Sequence, residues 1–291
     1  MPVAEALKIL IGAYLKIIDE SRELFLETSH ESAIYRFRVT IRRIEAVFHA
    51  FYAILPRKEV QPLQRGLRFS ARKAGKIRDI DVVITYLHQM RDNIPFPLRE
   101  AFGVLLEAAQ KERALYVERM RLYLQSEVYL NWRKAVEDFV HAYSPQVKAG
   151  LPYRVNHVLP SSLWQQVGHI RAFDNVVERM SAKDLHRFRR RCRELRYMID
   201  IVRSAMGDEA DVLIMHLAQV QEASGEVQDM RVIIKWLGQA VKEPVQAPIA
   251  SYLLGLAHHQ LERLLVKAPD WWQVVTSRAF REVLGKGTAR L

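Results

Sequence analysis

Two stretches of this chain, half its length apart, carry nearly the same basic pattern. A chain that repeats itself in this way is expected to fold as two related halves. The first stretch reads Tyr35-Arg36-Phe37-Arg38-Val39-Thr40-Ile41-Arg42-Arg43, and the second His186-Arg187-Phe188-Arg189-Arg190-Arg191-Cys192-Arg193. Each is followed at similar distance by another matched segment, Gly75-Lys76-Ile77-Arg78-Asp79-Ile80-Asp81-Val82 in one half and Gly225-Glu226-Val227-Gln228-Asp229-Met230-Arg231-Val232 in the other. We read this as an internal duplication that builds two facing basic surfaces.

Apolar residues recur at helical spacing almost everywhere, and period-two alternation never persists, so the fold class is all-α. Prolines punctuate it: Pro56 and Pro62 bracket one turn, Pro95 and Pro97 another, Pro244 and Pro248 a third, and Pro269 a fourth. The stretch richest in breakers runs from Pro145 to Pro160, which makes 146–161 the connection between repeat 1, about 5–145, and repeat 2, about 162–285, within one domain spanning 5–285. Six helices are expected in each half: near 3–27, 31–55, 60–76, 79–93, 97–125 and 127–143, then near 162–180, 182–206, 208–224, 227–242, 246–267 and 270–284. At Gly75 and Gly225 a glycine is expected to end one helix, with Asp79 and Asp229 capping the next.

With 291 residues, 49% of them hydrophobic, the chain has material for one large or two medium cores. Lys and Arg outnumber acidic residues 44 to 33, and the net charge of +11 favours a polyanionic partner, although charge alone describes a merely basic soluble protein equally well. The single cysteine, Cys192, excludes an intramolecular disulfide and a cysteine-rich zinc site, and fits a reducing cytoplasm. It has no catalytic signature around it and reads as a buried helical residue. The apolar run Ile9 to Leu15 is closed by Lys8 and Lys16, too short to span a bilayer and without a cleavage site, and no amphipathic anchor points to a membrane partner.

On a helix His186, Arg189 and Arg193 share one face, with Tyr197 one turn further, while Leu185, Phe188, Cys192, Leu195 and Ile199 gather on another. Tyr35, Arg38 and Arg42 form the corresponding stripe in the first half, beside Phe37, Ile41, Ile44 and Phe48. A solvated surface is the usual fate of such a stripe. Two observations favour function: the stripe recurs, and the first half adds Arg65, Arg68, Arg72 and Lys76 at i, i+3, i+7 and i+11, where the second half has Met215, Ala218, Glu222 and Glu226. That extra charge is not required to fold a half. Arginine suits a phosphate partner because its planar fork donates two hydrogen bonds and stays ionised at physiological pH. His186 is read either as a further donor to an oxyanion or as a packing residue.

Neither G-x-x-x-x-G-K-[ST] nor G-x-G-x-x-G occurs, so no nucleotide loop of those kinds is expected. H-E-x-x-H is absent too, and adjacent His258 and His259 diverge by about 100° on a helix. The carboxylates are scattered. The expectation is therefore no enzyme, no cofactor and no metal site. Aromatic platforms for single-stranded nucleic acid are not evident; Tyr35, Tyr86, Tyr197 and Trp236 sit among aliphatics and read as packing residues.

At these residues the chain resembles the CHAD family, the conserved histidine α-helical domain, from about residue 5 to about 285. The family's histidine followed by arginines three and seven positions on is met by His186, Arg189 and Arg193, then by the Leu195-Arg196-Tyr197 triplet. In the first half Arg38, Arg42 and Arg43 match, as does Gly75-x-x-Arg78-Asp79-x-Asp81-Val82, while Tyr35 stands where the family has its first histidine. The resemblance implies two pseudo-symmetric helical bundles with basic residues lining a groove between them. It also implies binding of inorganic polyphosphate, with association to polyphosphate granules in the cytoplasm. The E-x-E-x-K signature of fused triphosphatase domains is absent, so the chain looks like the binding module alone. Arg38, Arg42, Arg68, Arg72, Lys76, Arg189 and Arg193 are expected to carry most of the affinity, with Arg43, Arg78, Lys111, His186 and Arg196 as further binding residues. A nucleic-acid-binding module using the same basic face is the alternative, and the sequence names no protein partner.

Overall fold

The structure, a computed structural model, describes residues 1–144, 153–173 and 181–291. Part of the expected connection, 146–152, and the end of the expected helix over 162–180 lie outside the described residues. Among the described residues all regular structure is helical. The first half forms α1 (Val3–Thr28), α2 (Glu31–Ala50), α3 (Arg57–Met90), α4 (Arg99–Gln125) and α5 (Glu127–Ala142). The second forms α6 (Val155–Arg171), α7 (Ala182–Ile201), a short α8 (Arg203–Met206), α9 (Asp208–Ala240), α10 (Ala247–Leu265), α11 (Ala268–Thr276) and α12 (Arg278–Thr288). In each half a 20-residue helix, α2 or α7, precedes a very long one of 34 residues in α3 and 33 in α9.

The expected breaks at Gly75 and Gly225 do not occur: α3 and α9 run straight through them. A glycine inside a helix costs only about 1 kcal/mol against alanine. The buried series Ala74, Ile77, Ile80 and Val220, Ser224, Val227 continues the helical period across each glycine, and its packing outweighs that cost. Asp79 and Asp229 are accordingly mid-helix side chains and not caps. Pro62 also lies inside α3, whose first residue follows Pro56, and Pro160 lies inside α6, so α6 starts well before the expected end of the connection. Each proline forgoes one backbone hydrogen bond within its helix. Real caps are found elsewhere: the Ser126 hydroxyl accepts from the Tyr129 amide to open α5, and Ser277 accepts from Phe280 to open α12.

The buried apolar residues form two clusters, and neither coincides with a half of the chain. The larger joins Phe37, Ile41 and Ile44 of α2 and Leu67 of α3 with Leu163 of α6, Phe188 and Leu195 of α7 and Leu217 of α9. The smaller packs Ile80, Val83 and Leu87 of α3 and Phe102 and Leu105 of α4 against Ile233 and Leu237 of α9 and Ile249 and Leu253 of α10. Both long helices cross from one cluster to the other, α3 between Ile77 and Ile80 and α9 between Val227 and Met230. A polar layer occupies that boundary, where Arg78 Nη2 donates to Asp229 Oδ2 at 3.1 Å and ties α3 to α9.

On the outer side of α3, Trp132 of α5 donates its indole N–H to the Leu63 carbonyl at 3.0 Å and lays its ring over Gly66. A Cβ at Gly66 would collide with that ring, whereas one at Gly75 meets nothing within 4 Å. Gly66→Ala is expected to lower stability by about 1–3 kcal/mol through overpacking. Gly75→Ala should raise it by about 0.5–1 kcal/mol, because the helix there is regular. Urea denaturation midpoints should move in opposite directions for the two variants.

Candidate functional site

Helices α2, α3 and α7 converge on a cleft of about 660 Å³. From α2 it is lined by Arg42, Glu45 and His49, from α3 by Gln64, Arg68, Ala71 and Arg72, and from α7 by His186, Arg190, Arg191, Arg193, Glu194 and Tyr197. Each helix reaches the cleft for the same local reason. Its apolar stripe, such as Phe37, Ile41, Ile44 and Phe48 of α2, is anchored in the larger cluster, and this turns the arginine stripe inward beside it.

Six arginines thus face two glutamates across one small space, and the charges are unevenly paired. Glu194, only 14% exposed, takes Arg191 at 3.1 Å and Arg190 at 3.6 Å, lies 3.9 Å from His49, and accepts from Gln166 Nε2 at 3.1 Å. Among the described residues Arg42, Arg68, Arg72 and Arg193 have no carboxylate within ion-pair distance, and neither do Arg38 and Arg189 just deeper. Burial, followed by the positive charge of neighbouring arginines, pulls Arg38, Arg189 and Arg193 below the ordinary guanidinium range. They remain cations at neutral pH. Burial pushes the Glu45 carboxyl up, against the opposing pull of Arg193. The buried Arg189 Nε has no acceptor among the described residues.

Arg38 and Arg189 point toward the polar layer. Gly225 serves there as a close approach, since a Cβ on it would stand 3.4 Å from Arg189 Nη2. Asp79 and Asp229 face this layer; burial raises both carboxyls, opposed at Asp79 first by Arg38 and at Asp229 first by Arg78.

The cleft brings together five of the expected residues, Arg42, Arg68, Arg72, His186 and Arg193. Arg78 is engaged with Asp229 in the adjoining layer, and Lys76 lines a separate cavity further along α3. The remaining five do not line the cleft. Arg43 pairs with Asp200 at 3.4 Å and lies over the Tyr14 ring, Arg196 lies over the Tyr197 ring, and Lys111, 74% exposed, pairs with Glu107 at 2.7 Å. Tyr35 is 62% exposed and is not a packing residue, whereas Tyr86 and Tyr197 are buried. Cys192 is fully buried, which pushes its thiol up, in keeping with an inert packing residue.

Sequence reasoning passed over Arg190, Arg191, Glu45 and His49. For Arg190 the signal was present: at i+4 from His186 it lies about 40° around the helix, within about 20° of Tyr197, while Arg189 lies about 60° to the other side. Spacing of three and four defines two neighbouring faces, and only the packing of α7 decides which one the cleft uses. Among the described residues no group of three or more His, Cys, Asp or Glu converges, and no helix is long and apolar enough to cross a membrane.

The model of one protein family, described as the CHAD domain, matches residues 9–238. The fold is similar to the crystal structure of the CHAD domain from the plant Ricinus communis, with a TM-score of 0.65 at 19% identity, covering 98% of this chain and 92% of that one. It is also similar to PptA from Streptomyces chartreusis, with a TM-score of 0.71 at 16% identity, covering 94% of this chain and all of that one. No curated protein sequence matches the chain.

The histidines of the cleft give it a pH signature. Burial holds His49 below its ordinary range against the pull of Glu194, and burial likewise lowers His186, whose Nδ1 lies 3.3 Å from Gln228 Oε1. As pH falls through about 6.5 the unfolded chain takes up protons that these folded-state histidines refuse, so stability is full above that pH and declines below it. Denaturation midpoints are expected to fall between about pH 7.5 and 5.5. His49→Gln combined with His186→Gln should flatten that decline, and an unchanged decline would show that other groups cause it.

Proposed function

The chain belongs to the CHAD family, and from that premise we propose that it binds inorganic polyphosphate, without catalysis, in the cleft between α2, α3 and α7. The observation that carries this reading is the set of half-buried and exposed arginines, Arg42, Arg68, Arg72 and Arg193, that converge with no carboxylate of their own. Like charges held this close repel, and a ligand that supplies closely spaced negative charge relieves the repulsion. Polyphosphate does so along a flexible chain that needs neither base readout nor a rigid groove. Arginine forks meet its oxygens with two hydrogen bonds each, and the mid-helix arginines Arg38 and Arg189 extend the track beyond the cleft.

The reading is of a binder because of the chemistry on offer. The cleft presents cations and no activated nucleophile, and Glu194 is already occupied by three basic groups. Capture of long chains would also draw the protein to polyphosphate granules in the cytoplasm. Duplex nucleic acid is too wide for a cleft of this volume and should compete poorly.

A salt-resolved titration with long-chain polyphosphate tests the proposal. The logarithm of the affinity should fall against the logarithm of salt with a slope of about −4 if each of the six cleft arginines neutralises one phosphate. Arg42→Glu and Arg193→Glu should each cost about 1.5–3 kcal/mol of binding, roughly 10- to 100-fold. Arg43→Glu and Lys111→Glu, whose partners lie elsewhere, should change affinity little at moderate salt. Undiminished binding by the Arg42 and Arg193 variants would refute the assignment.

A further inference from the structure

Beyond the polar layer, α3 lines a second cavity of about 200 Å³. It continues the stripe that faces the cleft: Arg68 and Arg72 look into the cleft, and Lys76, Asp79 and Val83 into this cavity. From Arg68 to Asp79 is eleven residues of unbroken helix, about 16 Å. Lys76 lies one turn beyond Arg72 and just short of Asp79, so the cations follow one another along that stretch of helix.

The cavity differs from the cleft in its walls. Tyr116 of α4 and Trp236 of α9 line it, and one carboxylate holds both rings: the Trp236 indole N–H donates to Glu112 Oε2 at 2.7 Å, and the Tyr116 hydroxyl donates to Glu112 Oε1 at 2.5 Å. Neither ring is spent entirely on the core, for both are only partly buried at the margin of the smaller cluster. Lys235 adds a second cation, and Lys76 Nζ stands 5.9 Å from the Tyr116 ring centroid. Asp79 and Gln239 bring side-chain oxygens that accept hydrogen bonds.

An inorganic phosphate chain makes no use of fixed aromatic rings. A flat heteroaromatic base does, because ring faces stack on it, and exocyclic amines on such a base need acceptors of the kind Asp79 and Gln239 supply. We propose that this cavity receives the base of a nucleoside polyphosphate whose phosphates run along α3 past Lys76 toward Arg72 and Arg68. The site rests on side chains of three helices and needs no glycine-rich loop. It also rests on the reading of the cleft as a phosphate site, and adds a ligand class to it.

Calorimetric titration with ATP and with inorganic tripolyphosphate separates the two readings. Both ligands carry three phosphates, but ATP bears less charge because an ester replaces one ionisable oxygen. The cavity predicts that wild-type protein binds ATP more tightly than tripolyphosphate; a purely electrostatic track predicts the reverse order, which would overturn the proposal. Trp236→Ala should weaken ATP about tenfold and leave tripolyphosphate unchanged, with Trp236→Phe restoring most of the loss. Equal weakening of both ligands, or of neither, would overturn it as well. Should neither ATP nor tripolyphosphate bind while long-chain polyphosphate does, the cavity assignment fails and the cleft assignment stands. If long chains do not bind either, both fall.

Discussion

The structure depends on apolar packing strong enough to hold like charges together. The buried stripes of α2 and α7 meet in one cluster and leave the arginines beside them no room to separate. Glu45 is the nearest counter-charge, but no carboxylate stands within ion-pair distance of Arg42 or Arg193, and the neighbouring arginines add repulsion that the core must overcome. Any anion that binds the folded chain alone lifts part of this burden, by about 2.7 kcal/mol at a free concentration one hundred times its dissociation constant. Glu194 limits the repulsion by drawing Arg190 and Arg191 to one carboxylate. The cleft is therefore graded, with one compensated corner and one open track.

Much of this was legible in the sequence, because a helix turns spacing into a face. The all-α class, the inward stripes of α2, α3 and α7, and the buried Cys192 all follow from local periodicity. What was not legible depends on partners far along the chain. Arg43 matches the basic motif as well as Arg42 does, yet one position, about 100° of helix, turns it to Asp200 and Tyr14. The glycines misled for a related reason. Gly75 and Gly225 have the local look of helix ends, and only the long-range burial of Ile77, Ile80, Val227 and Met230 shows why the helices continue.

Continuity of α3 and α9 through those glycines is what gives the molecule its long axis of charge. A break at either place would have freed the two ends to reorient, and Arg68, Arg72, Lys76 and Asp79 would not share one line. The Arg78–Asp229 pair acts at the same level, fixing the register of the two long helices where the apolar contacts change from one cluster to the other.

The division of the core has a consequence for how the chain is made. Both clusters draw on both halves, so the first half leaves the ribosome with the faces of α3 and α4 around Val83, Leu87, Phe102 and Leu105 uncovered. They stay so until α9 and α10 have been synthesised, more than a hundred residues later. At cellular elongation rates of about 5–20 residues per second, that is several seconds of exposed apolar surface on a highly basic nascent segment. The interval leaves that surface prone to aggregation, and binds the fate of each half to completion of the other.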